Sequence, residues 1–494
     1  MPFETNVCAR RRIAVIGAGI SGMGAAERLA QSHDIVMFEA EPRLGGHART
    51  IVAGKHGDRP VDTGFIVFNY ATYPHLTAMF ERLGVPVARS TMSFGASIRG
   101  GAIEYGLDGV AAFFAQKRNA LNPRFLGMLR DIFRFNSGAL VAAQEPGLTI
   151  GELTRKMRLG RYFRDYYLQP FSGAIWSTPV ERILDFPALS MVQFFKNHGL
   201  LGYDEQHQWY TVEGGSVSYV SRLEQAMRAK GVDLRLGIPV TGITRLDEGV
   251  QIRAQGCEWE MFDEVVIAAH GDDALRLLAD PDEAERADLG AITYQPNDVI
   301  LHADASIMPK RRAVWSSWNY TEAKAKRSGQ IDLTYWMNSL QPIPQDDPHF
   351  VTLNTTRPIR EELIYDQTTM RHPVYDLAAL AARDRLKAAN GRRNTWFCGA
   401  WMRHGFHEDG LSSGLDVAEA IMSRDALAMG YSGAMRLRNT VRTKRSTTDE
   451  SAGAIRGSLP ARAPGTDQSA RRPRPSPAPM SRYRPCRSRP TAHG

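Results

Sequence analysis

Residues 12–40 read RIAVIGAGISGMGAAERLAQSHDIVMFEA, and three local patterns in this stretch decide how the fold opens. Ile13-Ala14-Val15-Ile16 is a short apolar run of the kind buried on both faces of a parallel sheet. Residues 20–30 are small or helix-favouring, and Asp34-Ile35-Val36-Met37-Phe38-Glu39 is a second apolar run. Strand, helix and strand in that order predict a βαβ unit. Between the first strand and the helix stands Gly17-Ala18-Gly19-Ile20-Ser21-Gly22, a G-x-G-x-x-G turn. Its first glycine permits the tight turn, the second lets a diphosphate approach the backbone, and the third lets helix and strand pack closely. Free N–H groups and the positive end of the helix dipole then face the phosphates. Glu39 closes the second strand 22 residues after Gly17. A carboxylate there accepts hydrogen bonds from ribose hydroxyls and repels a 2′-phosphate. A glycine turn alone is common and a strand-end Glu is often only solvated. Together they predict an adenine dinucleotide that lacks a 2′-phosphate.

The 494 residues correspond to two or three domains, and 43% hydrophobic content supplies a sizeable core. Cys8, Cys257, Cys398 and Cys486 lie far apart, which excludes a disulfide-stapled scaffold and a cysteine zinc cluster. The net charge of +8 is misleading. Residues 435–494 carry 14 Lys+Arg and 3 Asp+Glu; taking these from the chain's 61 and 53 leaves a body of 47 and 50. That near-neutral body gives no reason to expect a nucleic-acid partner. No apolar run approaches the roughly 18 residues of a spanning helix. Arg10-Arg11-Arg12 before an apolar run resembles an export signal, but Gly17, Gly19, Gly22 and Gly24 interrupt that run. The expected location is the cytoplasm, extending to the inner face of the cell membrane if basic segments touch lipid.

Further along, Phe125, Met128, Leu129, Ile132 and Phe133 share one helical face edged by Arg124, Arg130 and Arg134. Such a helix is either an ordinary surface helix or one that touches anionic lipid. Residues 290–355 give β-type runs separated by turn residues, which predicts an antiparallel sheet. Trp315, Trp318, Tyr320, Tyr335 and Trp336 make this region aromatic, as a core or as the wall of an apolar pocket. A strand near 395–400 and a helix near 413–422 return to α/β character. The Arg/Pro/Ser-rich segment 435–494 buries too little to fold and is expected to be disordered.

After Glu39 the chain continues Ala40-Glu41-Pro42-Arg43-Leu44-Gly45-Gly46-His47, and then Val61-Asp62-Thr63-Gly64-Phe65. Here the sequence resembles the flavin-containing amine oxidase and phytoene-desaturase-like superfamily, in which R-x-G-G after the ribose Glu is an FAD signature. It departs at His47, where typical amine oxidases carry Arg. The resemblance extends over most of residues 10–430. It includes EGGS at 213–216, Pro239-Val240, FDEVVIAAH at 262–270, WFCGA at 396–400 and EDGLSSG at 408–414. Closer still are bacterial predicted NAD/FAD-binding proteins, matched by VDTGFIVFN (61–69), AIWST (174–178), SSWNY (316–320), YWMNSLQ (335–341) and GFHEDGL (405–411). Some of these are associated with cyclopropane or methyl-branched fatty-acid metabolism.

The resemblance implies an α/β fold. A Rossmann-like, glutathione-reductase-like FAD-binding domain would comprise residues 10–70, 205–290 and 391–430. An α+β substrate domain (71–204 and 291–390) is inserted in it, and the disordered tail follows. FAD contacts are expected from Gly17, Gly19, Ile20, Ser21, Gly22, Glu39, Ala40, Arg43, Gly45, Gly46, His47, Thr63, Gly64, Phe65, Val240, Gly399, Asp409, Gly410 and Leu411. The implied chemistry is hydride transfer from a substrate C–H bond to flavin N5. Met402, His404, Phe406 and His407 then stand nearest the ring. Phe406 supplies half of an aromatic cage, and His407 and Glu408 are candidate proton acceptors. In the alternative, Glu408 and Asp409 cap the helix and His407 packs. A metal site from His404, His407 and Glu408 lacks a further ligand, so none is expected. The favoured reading is a desaturase or oxidase of a hydrophobic, fatty-acyl substrate. An amine oxidase and a non-catalytic FAD-binding protein are the alternatives.

Overall fold

A computed structural model of the chain describes residues 10–202, 207–324 and 330–428. The tail 435–494 lies outside the described residues. Five parallel strands form the first sheet, ordered Asp233–Leu236, Asp34–Glu39, Arg12–Ile16, Glu264–Ile267 and Thr395–Phe397. Arg12–Ile16 is central, and Ile13 to Ile16 are buried because both faces are covered. On one side lies the helix Ile20–Leu29, nine of whose ten residues are buried. Its Gly/Ala composition lets the last helix, His407–Ala428, approach backbone to backbone: a Cβ on Gly414 would stand 2.1 Å from the Ser21 carbonyl oxygen. Gly414→Val must therefore push the helices apart. It should cost on the order of 3 kcal/mol, read as a lowered urea midpoint.

The three N-terminal arginines are consumed by this fold. Arg10 pairs with Asp34, Arg11 with the buried Glu264 and with Asp425, and Arg12 with Glu260. Arg11 and Arg424 both reach Glu264, whose other oxygen accepts from the Trp396 indole N–H.

A second sheet of seven strands is ordered Ile364–Pro373, Tyr294–His302, Phe350–Leu353, Leu333–Trp336, Trp318–Thr321, Phe94–Ile98 and Ile103–Gly106. The stretch 290–355 is antiparallel within it. The sheet is longer than the sequence indicates, because Phe94–Ile98 joins Trp318–Thr321 in parallel. A three-stranded sheet (Val67–Asn69, Trp209–Val212, Val87–Ser90) and a helical layer around Pro123–Ala142 and Ala188–Asn197 complete the scaffold. The first sheet draws its strands from residues 12–39, 233–267 and 395–397, whereas the second draws on 94–106 and 294–373. Both belong to one compact unit ending at Gly433. Of the predicted helical face, Phe125, Met128 and Ile132 are buried, but Phe133 is exposed. Among the described residues no helix is long and apolar enough to cross a membrane.

Candidate active site

The ends of the parallel strands and the first helix open into a cavity of about 1250 Å³ that continues to the seven-stranded sheet and the helical layer. At its first end the backbone is shaped by glycine. Gly17 has φ +99°, and its N–H donates to the Phe38 carbonyl. Gly45 and Gly46, also at positive φ, lie against Ala18 and Gly19. A Cβ on Gly19 would meet nothing within 4 Å, so this residue faces open space at the start of a helix. No side chain caps that helix and no acidic residue sits in its first turn. Its N-terminal amides are thus available to an anion. The Glu39 carboxylate is fixed by the N–H groups of Ala18 (2.6 Å) and Glu41 (2.9 Å) at the strand end.

These features fit FAD. The open glycine approach suits a diphosphate, the fixed carboxylate suits a ribose diol, and the volume exceeds the about 300–1,000 Å³ of common ligand sites. Room therefore remains for a substrate. Ile20, Ser21, Ala40, Arg43, His47, Gly64, Phe65, Val240 and Gly399 also line the cavity. Gly22 is instead under the turn, where its Cβ would strike the Gly17 oxygen at 2.0 Å. Thr63 is buried and bonds to Arg49. Asp409 accepts from the Phe406 N–H, while Gly410 and Leu411 pack on the first helix at Ile20 and Gly24. These five residues hold the walls rather than line the lumen.

Histidine replaces the expected arginine at position 47, and two further histidines explain its fit. The His47 ring is 5.8 Å from His270 and 5.5 Å from His372, and its Nε2 meets the Arg371 carbonyl oxygen at 3.2 Å. His270 stacks on Tyr294 at 4.2 Å. Burial lowers the pKa of all three, to about 3 for His270 and His372. The cluster is neutral at ordinary pH. The sequence showed His270 only as a variant strand end, and nothing marked His372, whose role depends on a distant strand. His270, Asp272 and Asp273 have the proximity of a metal cluster. Arg371 and Arg276 already occupy those carboxylates.

At the far end of the cavity Phe406 stacks on Phe194 at 4.7 Å, with Trp176 6.4 Å from Phe406 in a T-shaped contact. Trp318 and Tyr335 are cross-strand partners and line the cavity, whereas Trp315 and Trp336 pack against Arg312. His407 lies flat on Phe65 (3.9 Å), and its Nε2 is hydrogen-bonded to the Tyr219 phenol at 2.5 Å. Burial lowers its pKa to about 3, which makes it a weak base. Neither Met402 nor His404 lines the cavity; Met402 is buried in a hydrophobic cluster.

Glu408 points away from the lumen. Both its oxygens accept at 2.9 Å from the N–H groups of His75 and Leu76 in the first turn of the helix Pro74–Leu83. Glu408 thus holds the start of that helix and does not line the cavity that His407 lines. Glu408→Gln should retain most turnover while losing about 1–2 kcal/mol of stability. A loss of turnover of a hundredfold or more at unchanged melting temperature would return Glu408 to the reaction.

A profile of the flavin-containing amine oxidoreductase family matches residues 20–305. None of the curated proteins matches the chain significantly. Among solved structures, a CLA-producing fatty acid isomerase from P. acnes superposes with TM-score 0.58 at 17% identity, over 83% of this chain and 98% of its own. Wild-type putrescine oxidase bound to putrescine gives TM-score 0.61 at 16% identity, over 84% and 100%. Cyclohexylamine oxidase from Brevibacterium oxydans IH-35A gives 0.58 at 16%, over 84% and 99%. At these identities the likeness concerns the fold.

Proposed function

The chain belongs to the flavin-containing amine oxidoreductase family and is an FAD-dependent oxidoreductase, and from that premise we propose that it takes a hydride from a C–H bond of a hydrophobic, fatty-acyl substrate. The observation that supports this reading is the character of the cavity wall. Beyond the glycine end it is made of Phe171, Ile175, Trp176, Phe194, Trp318 and Phe406 with their neighbours. The lining carboxylates are Glu39 and Glu41 at the nucleotide end, Asp273 beside its arginines, and Asp108, which is exposed. An ammonium group carried into the aromatic region would meet no counter-ion among the described lining residues, at high desolvation cost. A hydrocarbon chain is stabilised by the same walls.

FAD, when bound, supplies the hydride acceptor. The chain's part is to hold a C–H bond at a fixed place and keep water away. Phe406, held by Phe194 and Trp176, is the side chain we assign to contact the substrate. His407, with its Nε2 engaged by Tyr219, positions the border between cofactor and substrate regions. Desaturation of a methyl-branched or cyclopropane-related acyl chain is the favoured outcome: the hydride would go to the bound FAD and the proton of the neighbouring C–H bond to His407, the sequence-predicted acceptor that lines the cavity.

Anaerobic titration of the FAD-loaded protein with acyl lipids and with aliphatic amines tests this. Bleaching of the flavin band by acyl lipids supports the proposal. Bleaching by amines alone, with hydrogen peroxide released in air, would establish an amine oxidase. A flavin that neither class bleaches would point to a non-catalytic flavoprotein.

A further inference from the structure

The cavity reaches the surface beside two exposed apolar side chains that also line it, Val110 (77% exposed) and Phe133 (49%). Leu121 (86%) and Leu126 (43%) stand on the same run of chain, Leu126 one heptad before Phe133 on the helix Pro123–Ala142. Exposed apolar side chains beside the mouth of an apolar cavity mark a surface for an apolar partner. Their surroundings are basic. Lys117, Arg118, Arg124, Arg130 and Arg134 are all exposed; of the two carboxylates of residues 108–134, Asp131 is buried between Arg130 and Arg134 and Asp108 is exposed, so exposed cations outnumber exposed anions five to one.

We propose that this face docks on the surface of an anionic lipid bilayer, so that the cavity mouth opens against the membrane and receives the acyl substrate from it. The inference rests on the acyl-substrate reading above. Charge complementarity selects the occupant, because apolar tips set among cations match hydrocarbon beneath anionic headgroups. With no crossing helix among the described residues, the attachment is peripheral.

Flotation of the FAD-loaded full-length chain with vesicles tests it, using phosphatidylcholine with and without phosphatidylglycerol. Binding should require phosphatidylglycerol and be released by salt. Each surface cation contributes about fivefold to partitioning, so Arg118→Glu/Arg124→Glu should weaken binding by about thirtyfold or more. Leu121→Ser/Leu126→Ser should weaken it by at least about tenfold. None of these four residues lines the cavity, so flavin content and turnover of detergent-dispersed substrate should be unchanged. Equal binding by both double variants would overturn the proposal and leave the basic segment 435–494 as the attachment. A dimeric wild type that Leu121→Ser/Leu126→Ser converts to monomer would overturn it in favour of a second copy. Vesicle binding as expected but no bleaching by acyl lipids would contradict the substrate reading alone.

Discussion

Gly19→Val should give a folded, colourless protein. A Cβ at this position meets no protein atom within 4 Å, so nothing in the fold resists the substitution. The added isopropyl group stands in the space that the diphosphate needs, above the uncapped amides of the first helix. We expect FAD affinity to fall on the order of a hundredfold, about 3 kcal/mol, with the urea midpoint of the apoprotein unchanged. Gly22→Val makes the contrasting case. Its Cβ would sit 2.0 Å from the Gly17 oxygen, so it should fail at folding before any cofactor is offered. Full flavin occupancy in Gly19→Val would remove the diphosphate from the first glycine turn.

Mild acid should destabilise the chain. Burial lowers the pKa of eight histidines: to about 3 for His270, His372 and His407, to about 4 for His198 and His302, and below the ordinary value for His33, His47 and His404. In the unfolded chain each returns to about 6.5. Above that value both states are neutral, and these groups leave stability independent of pH. As pH falls below it the unfolded state binds protons that the folded state refuses, and stability drops until the folded pKa is reached. Each group contributes about 1.4 kcal/mol per pH unit. Asp62, raised to about 6 by burial, works in the opposite sense below pH 6, as do Asp332, Glu264, Glu408 and Asp409, which burial also raises. The histidines outnumber these carboxylates, so stability is expected to fall between about pH 6 and pH 4. Urea midpoints of the apoprotein across that range measure it; a flat profile would mean that the histidines protonate in place.

The nucleotide end of the fold was legible because its requirements are local. Gly17, Gly19, Gly22 and Glu39 act through a turn, a helix start and a strand end that lie within 28 residues. The order of matched segments then carried the parallel sheet, although its strands come from three separated regions. The catalytic end was less legible. His407 and Glu408 are adjacent in sequence, yet one faces the cavity and the other caps a helix more than 330 residues away in the chain. Only tertiary packing separates them. The histidine cluster joins positions 47, 270 and 372 through a strand pairing that no local pattern encodes. Likewise the apolar stripe at 125–133 forms one face in the sequence pattern. In the fold it divides, with Phe125 and Met128 in the core and Phe133 at the cavity mouth.

The central claim is that one cavity holds the nucleotide at the first glycine turn and an apolar substrate against Phe194 and Phe406. A crystal structure of the FAD-loaded protein with a bound acyl chain tests it most directly. The account predicts the adenosine ribose on Glu39, the diphosphate over Gly19, and the chain lying along the aromatic wall between Phe406 and Phe133. Cofactor density away from the glycine turn, or an acyl chain outside this cavity, would contradict it.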